Sequence, residues 1–236
     1  MPVVIITGGS RGIGKATAET FLEHGWAVSM MSRTESQLIE TCAELEPRFP
    51  NRVFFSAGDV SNEKDVFRLF ADTEKALGTP SCLICNAGIY QAKNLADQSV
   101  EDWQSVMDVN VRGSFLCCRS FIRSCESKAL PGSIVLIGSL AGIRSTQKFP
   151  GFTSYAASKS ALVGFTECLA EELKPSHIRV NCIAPGAVDT EMLRKALPHL
   201  KAEATPHQLA QLIYKTATPI EGILTGSILE IHSNAK

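Results

Sequence analysis

The chain has 236 residues, of which 44% are hydrophobic and 20% charged, with a formal net charge of −1. That length fits one domain with a sizeable core, and the composition excludes a disordered chain. The absence of any long basic run makes nucleic acid a poor partner, and no apolar run reaches the length of a membrane span.

The segment after Met1, PVVIITGG, is too short for a secretory signal and lacks a basic leader, so a cytoplasmic protein is expected. VVIITG (3–8) reads as a β-branched apolar strand, and 13–24 as a helix with a stripe through Ile13, Ala16, Thr17, Thr20 and Phe21. A strand at 27–31, a helix at 35–46 closed by Pro47, a strand at 52–59 and a helix at 62–77 follow. Strand 81–88 contains Cys82 and Cys85. Alternation puts these two on opposite faces of a strand, and no second pair completes a zinc site, so no metal is expected. The eight cysteines read mostly as buried free thiols of a reducing compartment.

Beyond them come a helix from about 101, a second helical stretch near 111–125, a strand at 132–139 and a long helix at 154–173 ended by Pro175. A strand at 178–186, a helix from about Pro206 and a last strand at 226–231 complete the chain. Strands apolar on both faces and separated by helices predict an α/β fold. Its parallel sheet is doubly wound, Rossmann-type, and forms a single domain over 1–236.

The first strand runs into Thr7-Gly8-Gly9-Ser10-Arg11-Gly12-Ile13-Gly14. A glycine-rich turn between strand and helix permits a tight bend, close backbone approach to a pyrophosphate and close helix packing, and the helix N-terminus faces the anion. No Gly-Lys-Ser/Thr follows, so this is not a P-loop; a purely structural turn is the alternative. At the end of the second strand, Ser32 stands where an NAD site usually has an acid, and Arg33 follows. Arg11 adds a second guanidinium suited to a 2′-phosphate. NADP(H) is therefore expected over NAD(H), with Glu35 as the acid that could turn to the ribose instead.

Together with that turn, Asp59-Val60, Asn86-Ala87-Gly88, Asn110, Ser139, Tyr155-x-x-x-Lys159, Pro185-Gly186 and Thr190 occur in an order that resembles the short-chain dehydrogenase/reductase family. The resemblance spans nearly the whole chain and is nearest in look to 3-oxoacyl-acyl-carrier-protein reductases and carbonyl reductases. It implies reversible hydride transfer between NADP(H) and a carbonyl or alcohol. It makes Tyr155 the general acid for reduction, Ser139 the hydroxyl that orients the carbonyl, and Asn110 the residue that positions a water near Lys159. Lys159 holds the nicotinamide ribose and lowers the tyrosine pKa.

Further roles come from the same resemblance. Gly8, Ser10, Arg11, Gly12, Ile13 and Gly14 cradle the dinucleotide, with Ser32 and Arg33 at its ribose. Asp59 and Val60 lie at the adenine, Asn86 stabilises the sheet at its strand end, and Ala87 and Gly88 line the cofactor. Pro185, Gly186 and Val188 form the loop on the nicotinamide side, with the Thr190 hydroxyl near the carboxamide or the phosphates. Chemistry read from the residues agrees. Tyr155 and Lys159, four apart on a helix, share a face, and an adjacent ammonium should favour the phenolate.

The substrate is less defined. Segment 140–154 is longer than usual for the family, and its Arg144, Lys148, Phe149 and Phe152 are read either as substrate contacts or as loop surface and anchors. A short lid is expected near 190–205. A 3-oxoacyl thioester is one reading, with an acyl carrier protein as candidate partner and Arg112 and Arg179 as a basic docking surface. Quinone, steroid or small-ketone reduction, an NAD-linked alcohol dehydrogenase, and a nucleotide-binding scaffold or redox sensor with little turnover are the alternatives. A homotetramer or dimer is expected, paired through the helices near 101–125 and 154–173, where Ala156, Ala157, Ala161, Gly164 and Ala170 allow close approach.

Overall fold

The computed structural model describes residues 1–218 and 223–232. Its strands are β1 (Val3–Thr7), β2 (Ala27–Ser32), β3 (Val53–Ala57), β4 (Cys82–Cys85), β5 (Gly132–Ile137), β6 (Ile178–Pro185) and β7 (Ile228–Ile231). Its helices are α1 (Gly12–Glu23), α2 (Glu35–Leu45), α3 (Glu63–Leu77), α4 (Val100–Met107), α5 (Gly113–Glu126), α6 (Thr153–Glu172), the short α7 (Glu191–Ala196) and α8 (Pro206–Ala217). The strands form one parallel sheet in the order β3-β2-β1-β4-β5-β6-β7.

Alternation along each strand feeds two separate cores. Val4 and Ile6 of β1 pack with Phe21 and Leu22 of α1, Leu38 of α2 and Ile213 of α8. Ile5, between them, packs on the other side with Leu69 of α3, Phe121 of α5 and Leu162 of α6. A sheet covered on both faces needs strands with no polar side, which explains why all five residues of β1 are buried. Cys82 and Cys85 separate as the alternation requires, one into each core. Among the described residues no group of His, Cys, Asp or Glu could hold a metal, and no helix is long and apolar enough to cross a membrane.

The helix expected in two stretches from 101 to 125 is one rod. Between α4 and α5 the residues Asp108–Arg112 form a single π turn. Such bulges push one residue out of helical register, and here the turn carries Asn110. The strand order reverses between β1 and β4, where successive connections leave in opposite directions. In open parallel sheets that switch point leaves a crevice beyond the C-terminal strand ends. The predicted strands overran the observed ones mainly at those ends: Gly8, Asp59, Asn86–Gly88, Ser139 and Gly186 all lie past the ladder. The tail GSILEIHSNAK contributes β7, and its last four residues lie outside those described.

Candidate active site

A cleft of about 730 Å³ opens along the C-terminal strand ends. It is lined by Gly8, Ser10, Arg11, Gly12, Ile13, Ser32, Arg33, Asp59, Val60, Asn86, Ala87 and Gly88 from the β1, β2, β3 and β4 ends. Ser139, Tyr155, Lys159, Pro185, Gly186, Val188 and Thr190 line its other half. Of the residues expected from sequence to be catalytic or to bind the cofactor, Gly14 and Asn110 lie behind the lining rather than in it.

Gly8 has φ +67° and Gly12 φ +55°, a region that favours glycine. A Cβ on Gly14 would lie 2.1 Å from the Gly8 carbonyl oxygen, so Gly14 lets α1 close onto the turn. The turn is also tied to β4. Asn86 Nδ2 donates to the carbonyls of Thr7 at 2.9 Å and Gly8 at 3.1 Å. Thr7 Oγ1 accepts from the amides of Asn86 and Ala87. No side chain caps α1 and no acid lies in its first turn, which leaves its N-terminal amides and positive dipole end to an anion. A pinned glycine cradle at an open helix N-terminus fits the diphosphate of a dinucleotide.

At the β2 edge, Ser32 is half-buried and Arg33 exposed, its guanidinium 4.0 Å from the Asp59 carboxylate. Asp59 Oδ1 accepts from the amide and hydroxyl of Ser61. Glu35 is exposed and outside the cleft, so among the described residues the acids that line it are Asp59 and Glu191. Arg11 does not stand free beside Arg33: its Nη1 donates to Glu191 Oε2 at 2.5 Å, joining the glycine turn to α7. Lys195 shares that carboxylate at 2.6 Å. Thr190 caps α7, its hydroxyl accepting from the Leu193 amide.

At the other end, β5 delivers Ser139 and α6 delivers Tyr155 and Lys159. Lys159 is 4% exposed. Its Nζ donates to the Ile137 carbonyl at 2.7 Å and sits 5.7 Å from the Tyr155 ring centroid. Burial lowers the Lys159 pKa to about 8. Tyr155 departs from expectation. Burial pushes the phenol above its ordinary value, and the neighbouring Ser139 hydroxyl only partly opposes this. The ammonium lies over the ring and does not set the direction, so desolvation of the phenolate wins.

Asn110 is fully buried and works through backbone. Its Oδ1 accepts from the Ile89 amide at 2.8 Å, and its Nδ2 donates to the Ile89 carbonyl and to Ser158 Oγ. Ser158 in turn donates to the Tyr155 carbonyl. The π turn thus clamps the loop after β4 and the first turns of α6, and so the position of Tyr155.

One expected role is corrected, and for Lys148 one of two open readings is decided. Arg179 is no docking residue: half-buried near the start of β6, it donates to the Leu224 and Ala217 carbonyls and to Ser133 Oγ. It therefore lies at the strand end opposite the cleft. Lys148 does not face substrate either. Its ammonium is spent on the Ala141 and Ile143 carbonyls and Thr146 Oγ1. Phe149 and Phe152 do line the cleft, as does Tyr90, which carried no sequence signal beyond its place after Asn86-Ala87-Gly88.

Fold and site together define an enzyme of the dinucleotide-dependent oxidoreductase class. The family model of the short chain dehydrogenases matches residues 2–201, and the chain belongs to that family. It is 35% identical to a 3-oxoacyl-(acyl-carrier-protein) reductase of Chlamydia muridarum, over 96% of this chain and 94% of that protein. It is 34% identical to a glucose 1-dehydrogenase of Gluconobacter oxydans, over 97% and 89% respectively. A short-chain type dehydrogenase/reductase from Mycobacterium marinum superposes with a TM-score of 0.91 at 28% identity, over 98% of this chain and 93% of that one. The chemistry common to the family is NAD(P)(H)-dependent interconversion of a carbonyl and an alcohol.

Proposed function

We propose that the protein reduces an uncharged carbonyl compound with NADPH. The observation that carries this reading is the meeting of Ser139, Tyr155 and Lys159 at one end of a cleft whose other end is a glycine cradle flanked by Arg33. The bound dinucleotide supplies the hydride. Tyr155 donates its proton to the carbonyl oxygen while the Ser139 hydroxyl hydrogen-bonds the same atom, stabilising the charge that develops there. A raised phenol pKa keeps Tyr155 protonated at neutral pH, which suits reduction more than oxidation. Lys159 holds the nicotinamide ribose, and Asn110 is a positioning residue for Tyr155.

Arg33 grips the 2′-phosphate, and Arg11 joins it when released by Glu191. The absence of an acid beside Ser32 supports NADPH over NADH. Asp59 and Val60 meet the adenine, while Pro185, Gly186, Val188 and Thr190 flank the nicotinamide. Residues 190–205 act as a short lid. A 3-oxoacyl thioester is the second reading for the substrate, favoured by the near full-length match to a reductase named for that reaction. An acyl carrier protein is then the partner. The chain pairs with copies of itself along α6, where Gly164 is exposed with open space around it; Ala170 faces the home core.

The test is cofactor oxidation with a panel of ketones and acetoacetyl thioesters, in wild type and Tyr155→Phe. Turnover with NADPH that the variant loses while still binding NADPH is the expected result. Retained turnover in the variant would remove Tyr155 from the reaction, and a preference for NADH would remove the 2′-phosphate role of Arg33. NADPH binding with no turnover on any carbonyl would favour a nucleotide-binding scaffold.

A further inference from the structure

Three aromatic side chains converge beside the Tyr155 phenol. Tyr90 comes from the loop after β4, and Phe149 and Phe152 from the segment leading into α6. Tyr90 and Phe152 lie parallel, with ring centroids 5.8 Å apart and planes 9° from coplanar. Phe152 meets Tyr155 at 6.1 Å and 82°, and Phe149 at 6.3 Å and 64°. All three line the cleft and are only partly buried, so ring surface faces the space beside the Tyr155 proton.

This wall is uncharged. Among the described residues, the charged side chains lining the cleft are Arg11, Arg33, Asp59, Lys159 and Glu191, and His232 joins them there. Arg11, Arg33, Asp59 and Glu191 belong to the dinucleotide end. Lys159 donates to the Ile137 carbonyl, and His232, beyond β7, pairs with Glu230. The cations of the wall's own segment are elsewhere: Arg144 is exposed and outside the lining, and Lys148 binds backbone carbonyls. A carboxylate seated against these rings would lose hydration, and among the described residues the cation beside Tyr155 is Lys159, which is already committed to the Ile137 carbonyl. A flat ring loses little conformational freedom and gains offset or edge contacts with other rings.

We propose that the substrate is a ketone or aldehyde whose carbonyl carbon bears an uncharged planar aromatic ring, seated against Phe152 with Tyr90 and Phe149 extending the surface. This rests on the carbonyl-reduction reading. In the reaction the carbonyl carbon gains a hydride from NADPH, which becomes NADP⁺. The oxygen gains the Tyr155 proton, the C=O π bond is lost, and Tyr155 is reprotonated from solvent.

Methyl phenyl ketone and methyl cyclohexyl ketone present the same carbonyl on rings of equal carbon count. Their kcat/KM ratio is measured at saturating NADPH in wild type, Phe152→Leu and Tyr90→Leu. Intrinsic reactivity differs between the two ketones but cancels when variant and wild-type ratios are compared. The expected result is a fall in aryl preference of about two- to tenfold in each variant, with NADPH affinity unchanged. Ratios unchanged in both variants would overturn the aromatic wall as a substrate surface. So would a wild type that reduces acetoacetyl thioesters and neither ketone, an outcome that leaves carbonyl reduction standing. NADPH binding with no carbonyl reduced at all would instead sink the functional reading and this proposal with it.

Discussion

Lys159 is a charge that the fold holds against its own stability. Its pKa falls from 10.5 to about 8 because the ammonium is buried. At about 1.4 kcal/mol per pH unit, keeping it protonated opposes folding by about 3 kcal/mol below pH 8. Lys159→Met removes that penalty and fills the same space, but leaves the Ile137 carbonyl without its donor, a loss of about 1 kcal/mol. The variant should therefore be more stable at pH 7 by about 2 kcal/mol, or roughly 4–8 °C in Tm for a chain of this size, while losing turnover. The pH dependence has a fixed sign. Below about 8 both folded and unfolded chains carry the proton and the full penalty applies. Between about 8 and 10.5 the unfolded chain binds more protons, so wild-type stability rises with pH. The gap between Lys159→Met and wild type should narrow over that window. Urea unfolding of both proteins at matched concentration, at pH 7 and 9.5, measures it. A variant no more stable than wild type at pH 7, or a gap that stays constant, would refute the argument.

Other perturbations test the dinucleotide end and the assembly. Gly14→Ala places a methyl 2.1 Å from the Gly8 carbonyl, so the turn must open; stability should fall by about 1–3 kcal/mol and NADPH affinity should drop, both readable in a thermal shift titration. Arg33→Ala should weaken NADPH binding and leave NADH binding unchanged in fluorescence titrations. Glu191→Gln releases Arg11 and should tighten NADPH selectively, by no more than about fivefold, because an exposed pair contributes at most about 1 kcal/mol. Gly164→Gln should shift the protein toward the monomer in sedimentation if α6 pairs with its mate, and an unchanged sedimentation coefficient would remove that face from the assembly.

What could be read from the chain and what could not divides by range. Gly8, Gly12 and Gly14 were legible because the turn they build is local, closed by their own strand and helix. Tyr155 and Lys159 were legible as a pair because one helix sets their spacing. The polarity of the strand ends was legible too, but their boundaries were not: Asn86 and Ser139 sit in apolar runs, and only neighbouring strands decide where the ladder stops. Asn110 needed more. Its partners Ile89 and Ser158 lie 21 and 48 residues away, and the π turn that aims it has no local composition cue. The charged residues were the least legible, because a guanidinium or ammonium reaches whatever the fold brings near. Arg11 and Glu191 are 180 residues apart in sequence; Arg179 finds carbonyls at the far strand ends; Lys148 caps its own loop. Each removes a cation from a role that sequence alone allowed. Among the described residues, the wall formed by Tyr90, Phe149 and Phe152 is left aromatic, with Lys159 the cation beside Tyr155, while Arg33 and the Glu191-paired Arg11 line the glycine-turn end. On the proposed reading, selectivity for the cofactor rests on charge and selectivity for the carbonyl on ring contact, so salt should weaken NADPH binding without changing the ranking of ketones.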